Sequence, residues 1–144
     1  MTMRAVVIDR PGSPEVLSLK EVRRPCPKAH EVLVKVHASG LNRADLLQRR
    51  GLYPAPPGSP ADISGLEFAG EVAESPSGEW TRGARVMGIV GGGAAAEDLT
   101  LPADQLLPTP MHLSDAEAAA IPEAFLTAYD AIVLQGSLQR GEWL

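Results

Sequence analysis

Apolar and polar residues alternate in short runs along most of the chain, and proline or glycine breaks nearly every run. The clearest run is residues 31–37, EVLVKVH. Val32, Val34 and Val36 fall on one face and Leu33, Lys35 and His37 on the other, which is the period of a strand. Residues 3–8 (MRAVVI) predict a first strand and residues 16–22 (VLSLKEV) its return arm, joined by the turn chemistry of DRPGSP. Residues 66–72 (LEFAGEV) and 84–90 (ARVMGIV) predict two more strands. Gly70 inside the first of these predicts a bulge or a close backbone approach. Residues 94–101 are expected to pair next, and prolines keep 106–111 (LLPTPM) short. Two prolines make 24–29 (RPCPKA) a surface crossover, and PAPPGSP at 54–60 an irregular loop.

Two stretches carry helical spacing instead. Residues 42–50 place Leu41, Ala44 and Leu47 toward a core and Arg43, Gln48, Arg49 and Arg50 toward solvent. The basic last turn suits the negative end of the helix dipole. Ser114-Asp115-Ala116-Glu117 has the form of a capping box opening a helix that Ala118 to Ala120 extend. Pro122 either interrupts that helix or begins another, and 123–134 (EAFLTAYDAIVL) is an apolar helix. Residues 135–141 form a turn region, and Glu142-Trp143-Leu144 reads as entry into a strand. Many short strands first and helices last predict a mainly β, barrel-like domain with a helical appendage.

Composition narrows the function. A chain of 144 residues, 44% apolar and 22% charged, suits about one globular core. Net charge −5 argues against nucleic acid or an anionic membrane as partner, because both reward clustered Lys and Arg. No window approaches the ~20 apolar residues of a spanning helix, and the N-terminus lacks the pattern of a signal peptide. One cysteine, Cys26, forms no internal disulfide and agrees with a cytoplasmic location. Aromatics are 4%, so the core is expected from Val, Leu, Ile and Ala.

The candidate chemistry lies where the valine strand ends. Ala38-Ser39-Gly40 is a small-residue turn of the kind that exposes side chains at a cleft, and it presents Asn42; Tyr53 follows one short helix later. Asn42 also suits a helix N-cap, and Tyr53 could equally pack under the proline loop. His30, His37 and His112 are scattered and suggest no metal site. Gly91-Gly92-Gly93 leaves a strand without a βαβ unit around it, so it reads as a loop rather than a phosphate cradle.

Five segments, MRAVVIDRPGSPEVL, EVLVKVHASGLNRADLLQRRGLYP, GLEFAGEV, GGGAAAEDLTLP and AAAIPEAFLTAYDAI, together resemble the N-terminal half of the medium-chain dehydrogenase/reductase superfamily. Within it the chain is most similar to the zeta-crystallin-like NADPH:quinone oxidoreductases, in the tumour-suppressor-inducible subgroup. The resemblance implies a GroES-like β-barrel with short helices and a C-terminal helical segment. It implies a catalytic domain over 1–113, and over 114–144 a helical hinge and the start of a cofactor-binding Rossmann domain that is absent from this chain. It implies hydride transfer from NADPH to a quinone-like small molecule without metal. Zinc alcohol dehydrogenases of the superfamily place cysteine and histidine where this chain has Asn42 and Leu66, and neither supplies a zinc ligand. By the same resemblance Asn42 faces nicotinamide and acceptor, Tyr53 lines the acceptor pocket, and Thr127 lies near the nicotinamide. For Thr127 a back-bonded helical hydroxyl is the alternative. Asp45 and Arg43 are expected at the surface or a hinge. Glu67 is expected in a purely structural role, with pairing to a basic residue at the cleft floor as the alternative. The fragment is expected not to bind NADPH tightly or turn over alone. The apolar helix at 123–134 makes a homo-oligomer the expected assembly. A stand-alone GroES-like interaction module is the alternative, and a zinc alcohol dehydrogenase relative a more distant one.

Overall fold

The computed structural model describes residues 1–143; Leu144, the last residue of the expected strand entry, lies outside them. Strands β1 (Thr2–Ile8) and β2 (Leu17–Arg23) form an antiparallel hairpin in the expected place. A five-stranded antiparallel sheet holds β3 (Glu31–Ser39), β4 (Glu67–Glu74), β5 (Arg85–Ile89), β6 (Asp98–Pro102) and the two-residue β7 (Leu107–Pro108), in the order β6-β3-β4-β5-β7. The stretch expected to pair next after β5 therefore pairs with β3 instead, at the other side of the sheet. Alternation alone marks a strand but not its neighbour. Single bridges from Ala5 to Ala96 and from Val7 to Ile63 close the hairpin against the sheet.

The valine strand β3 lies between β6 and β4, and Val32, Leu33 and Val34 are all fully buried. Phe68 is the largest of the fully buried side chains and packs with Val32, Val34, Val72 and Val86. A core otherwise aliphatic is thus built around one aromatic ring. The Trp80 indole N–H reaches the Ala103 carbonyl at 2.9 Å and seals one end. Arg24 anchors the proline crossover by donating to both oxygens of Asp98, at 2.8 and 3.0 Å.

Gly70 answers to the close approach expected of it. It pairs with Val36, and a Cβ there would overlap the Lys35 carbonyl oxygen. The next pair is Ala38 with Ala69, so His37 is the extra residue of a bulge on β3. The bulge turns the end of β3 toward the Ser39-Gly40 corner.

The described residues also form the α-helices α1 (Arg43–Arg49), α2 (Asp115–Ala118) and α3 (Pro122–Tyr129), the last continuing through a π-type turn, Asp130–Gln135. Ser114 and Glu117 form the expected capping box: the Glu117 carboxylate accepts the Ser114 backbone N–H at 2.8 Å, and the Glu117 backbone N–H donates to the serine oxygen at 3.3 Å. Pro122 begins a new helix rather than interrupting an old one. Ala118 and Ala119 pack α2 on Ala69 and Met87, where only small side chains allow the helix so near the sheet. Asp115 straps it down. One carboxylate oxygen takes two guanidinium nitrogens of Arg85, at 2.6 and 3.1 Å, and the other meets His37 Nδ1 at 2.8 Å. These partners, Arg85 foremost, hold the Asp115 carboxyl below its ordinary value of 3.8. Among the described residues no helix is long and apolar enough to cross a membrane.

Two outcomes test this packing. Gly70→Ala should cost at least ~3 kcal/mol in chemical denaturation, because backbone rather than a flexible side chain must move. Asp115→Asn should cost roughly 1 kcal/mol at neutral pH, a modest figure because the strap is partly exposed. Since the folded carboxyl titrates lower than the unfolded one, that difference should be fully present above pH ~4 and shrink as pH falls through the folded value. A variant difference that stays constant down to pH ~2 would contradict the strap.

Candidate functional site

The corner between β3 and α1 is organised by a residue whose sequence context points only to a structural role. Glu67 opens β4 and is 4% exposed. One carboxylate oxygen accepts from Asn42 Nδ2 at 2.9 Å and the other from the backbone N–H of Glu123 at 2.9 Å. The alternative of a basic partner is not met: among the described residues no Lys, Arg or His lies within ion-pair distance of Glu67. The charge is answered instead by an amide and by the N-terminus of α3, where orphan N–H groups and the helix dipole favour an anion. Gly40 makes the room. A Cβ on it would sit 2.6 Å from Glu67 Cδ, so only glycine leaves space for the carboxylate. Ser39 Oγ and the Gly40 N–H both donate to the Glu67 backbone carbonyl, at 3.1 and 3.2 Å, and lock the corner to the strand.

Asn42 is the N-cap of α1 and half-buried. A carboxylate only accepts, so Glu67 fixes which end of the Asn42 amide is nitrogen. The Asn42 backbone N–H donates to Asp45 Oδ2 at 2.8 Å, and Asp45 Oδ1 accepts the Gly65 N–H at 2.8 Å. Asp45 is 6% exposed. It is therefore a buried pin between α1 and the loop before β4, not the surface or hinge residue expected. The buried face of α1 corrects the expectation further. Asp45, Gln48 and Arg49 point inward, while Leu41 is 93% exposed. Polar groups win that face because backbone N–H and C=O groups wait there: Asp45 takes Gly65, and Gln48 Nε2 reaches the Ala61 carbonyl at 3.3 Å.

The other two sequence-predicted residues stand apart from this network. Tyr53 is 40% exposed beyond the far end of α1, which rises about 10 Å over its length. Thr127 is exposed on α3, one turn above the end that Glu67 caps, and its hydroxyl lies 3.5 Å from Glu123 Oε2. Glu67 thus joins Asn42 to the helix that carries Thr127, although no contact joins Asn42 and Thr127 themselves. The apolar side chains of α3 and its π-type turn are open: Phe125, Leu126, Tyr129, Val133 and Leu134 are all exposed. Two cavities of about 400 and 490 Å³ lie along β1 with the end of β3 and beneath the 58–60 loop. The site is one open wall rather than a closed pocket.

Residues 28–111 match the family model "Alcohol dehydrogenase GroES-like domain". The chain belongs to that family. With it goes membership of the medium-chain dehydrogenase/reductases, as the relatives of this GroES-like domain make plain. Human "Quinone oxidoreductase" is 36% identical over 151 residues, covering 97% of this chain and 44% of that protein. A phenolphthiocerol/phthiocerol polyketide synthase polypeptide of Mycobacterium tuberculosis is 35% identical over 137 residues, covering 94% of this chain and 6% of that protein. The crystal structure of human synaptic vesicle membrane protein VAT-1 homolog-like protein superposes with TM-score 0.89 at 35% identity, covering 98% of this chain and 46% of that one. The chain therefore spans less than half the length of each of these relatives.

Glu67→Gln tests the junction. Glutamine has one acceptor oxygen where two donors must be met, so either Asn42 or the Glu123 N–H loses its partner. The expected cost is about 1–3 kcal/mol in urea unfolding, together with faster hydrogen exchange at the Glu123 amide. Unchanged stability and unchanged exchange would show that the carboxylate does not hold the two walls together.

Proposed function

We propose that this chain is the acceptor-side half of a zinc-independent, NADPH-dependent oxidoreductase that passes hydride to a quinone or another electron-poor carbonyl or alkene. The observation that carries the reading is Asn42, half-buried at the α1 N-terminus with its amide oriented by Glu67. Zinc chemistry in the superfamily needs a thiolate at that place and an imidazole beside the glutamate. This chain offers an amide and the buried aliphatic Leu66. Such a donor set suits the orientation of a polar ligand rather than the ligation of zinc. The names of the quinone oxidoreductase relatives agree with the quinone as acceptor, and the polyketide synthase relative keeps other acceptors within the class.

The residues divide the work by position. NADPH, when held by a cofactor-binding domain, supplies the hydride. Asn42, fixed by Glu67 and by the α1 cap, needs no reorganisation to meet a polar group of nicotinamide or acceptor, which is the advantage of a preorganised dipole. Tyr53 places an exposed ring and hydroxyl where an acceptor carbonyl could stack and accept a hydrogen bond. Thr127 presents its hydroxyl on the open face of α3, toward which a cofactor domain would bring nicotinamide. The exposed apolar face of α3 excludes water once covered, and alignment of donor and acceptor carbons does the rest. The chain by itself should neither bind NADPH tightly nor turn over. A cytoplasmic setting and a homo-oligomer belong to the same proposal. A second reading, a self-associating interaction module, is favoured by the same exposed face; its signature would be concentration-dependent sedimentation of an inactive chain that no cofactor domain can activate.

The deciding experiment is a chimera in which this chain replaces the matching segment of human quinone oxidoreductase. NADPH-dependent quinone reduction, insensitive to chelators, is the expected result, and Asn42→Ala should lower kcat/KM by about 10²-fold. A chimera that folds and binds NADPH but reduces neither quinones nor enones would sink the proposal, as would activity that zinc removal abolishes.

A further inference from the structure

The basic end of α1 carries an anomaly. Arg49 is 8% exposed, and its Nε is buried without a hydrogen-bond partner. Among the described residues it has no ion pair within 4.0 Å. A buried guanidinium without a counter-ion is costly, and native proteins keep such charges paired or at work. In a chain of net charge −5 the absence of a partner is the more conspicuous. Arg49 lines a groove of about 420 Å³ together with Arg50 and the 11–14 loop, Pro11-Gly12-Ser13-Pro14. The loop is pinned against the helix end, since the Gly12 N–H donates to the Arg49 carbonyl at 2.9 Å. Glu15 feels the Arg49 charge, but its carboxylate already takes the Ser13 hydroxyl. The helix end contributes only partial negative charge, which does not replace an anion.

We propose that this groove is an oxyanion subsite, in which Arg49 and Arg50 hold the phosphate group of a small organic molecule. A guanidinium fork matches phosphate oxygens two at a time, and a second arginine beside it completes a dication facing the dianion. The groove is far larger than one phosphate, so it leaves room for an organic body along the loop. It sits about one helix length, ~10 Å, from Asn42, and it does not depend on hydride chemistry there. The ligand is therefore either an anionic portion of a molecule that reaches the Asn42 corner or a separate effector.

The test uses the chain as it stands and inorganic phosphate as the probe. Titration followed by NMR should shift the Gly12 and Ser13 amides and the Arg49 Nε–H in one saturable process, with chloride and acetate at equal ionic strength giving none. Arg49→Met should abolish that process. In phosphate-free buffer the same variant should be at least as stable as the wild type, because an unpaired buried charge has been removed. Glu15→Gln should tighten phosphate binding severalfold by removing a neighbouring like charge. Absence of saturable shifts up to about 50 mM phosphate, well above the millimolar affinities of weak specific sites, would overturn the proposal. So would shifts that survive Arg49→Met, or a large destabilisation by Arg49→Met without phosphate, which would assign the arginine to structure alone.

Discussion

A buried carboxylate with no cation beside it among the described residues governs this half-site. A carboxylate buried in that place is costly unless N–H groups are delivered to both of its oxygens. Two separate parts of the chain deliver them: the Asn42 side chain at the start of α1 and the Glu123 backbone at the start of α3. Because those donors lie 81 residues apart in sequence (123 − 42), satisfying one charge also fixes the distance between the two walls that flank the open face. The glycine at position 40 is the steric condition for the arrangement, since any side chain there would occupy the carboxylate's place.

Everything before that junction serves to aim it. The bulge at His37 and the close approach at Gly70 bend the end of β3, and the bent strand delivers Ser39 and Gly40 to the Glu67 backbone. The bulged residue is put to use, for its ring meets Asp115 and helps strap α2 to the sheet. α2 in turn leads directly into Pro122, so the strap sets where α3 begins and hence where the Glu123 N–H points. Strand irregularity, strap and buried charge form one mechanical chain, and a fault at any member should be felt at Asn42.

The strands were legible because alternation, proline breaks and glycine punctuation are local signals. The capping box at Ser114 and the new helix at Pro122 were legible for the same reason. What the local pattern could not carry was partnership. Residues 94–101 read correctly as a pairing segment, but their neighbour is β3 across the sheet rather than β5 beside them in sequence. The buried face of α1 was misread because helical periodicity counts carbon, whereas this helix packs against a loop whose Gly65 N–H and Ala61 carbonyl are met by its side chains. Asp45 faces inward to accept the Gly65 N–H, an attraction that hydrophobic spacing does not register. Asn42 could be chosen from its position after a tight turn and from family likeness; that Glu67 orients it is a fact of three dimensions. The residue in the sequence that bears on it is Gly40, which reads there as part of a tight turn and in the structure leaves room for the Glu67 carboxylate.

Three charges are buried along the α1 edge of this domain, and their contrast is informative. Asp45 and Glu67 each have both oxygens met by N–H groups, so each is accounted for by the fold itself. Arg49, on the same helix and nearly as buried, has an Nε with no partner among the described residues. Folding alone offers no reason to keep it, since a methionine of similar volume would fill the space at lower cost in desolvation. A charge that the fold does not need, set in a groove beside a second arginine, is better explained by something the fold receives. The acidic end of α1 thus holds the protein to itself, and its basic end is left with the capacity to hold an anion.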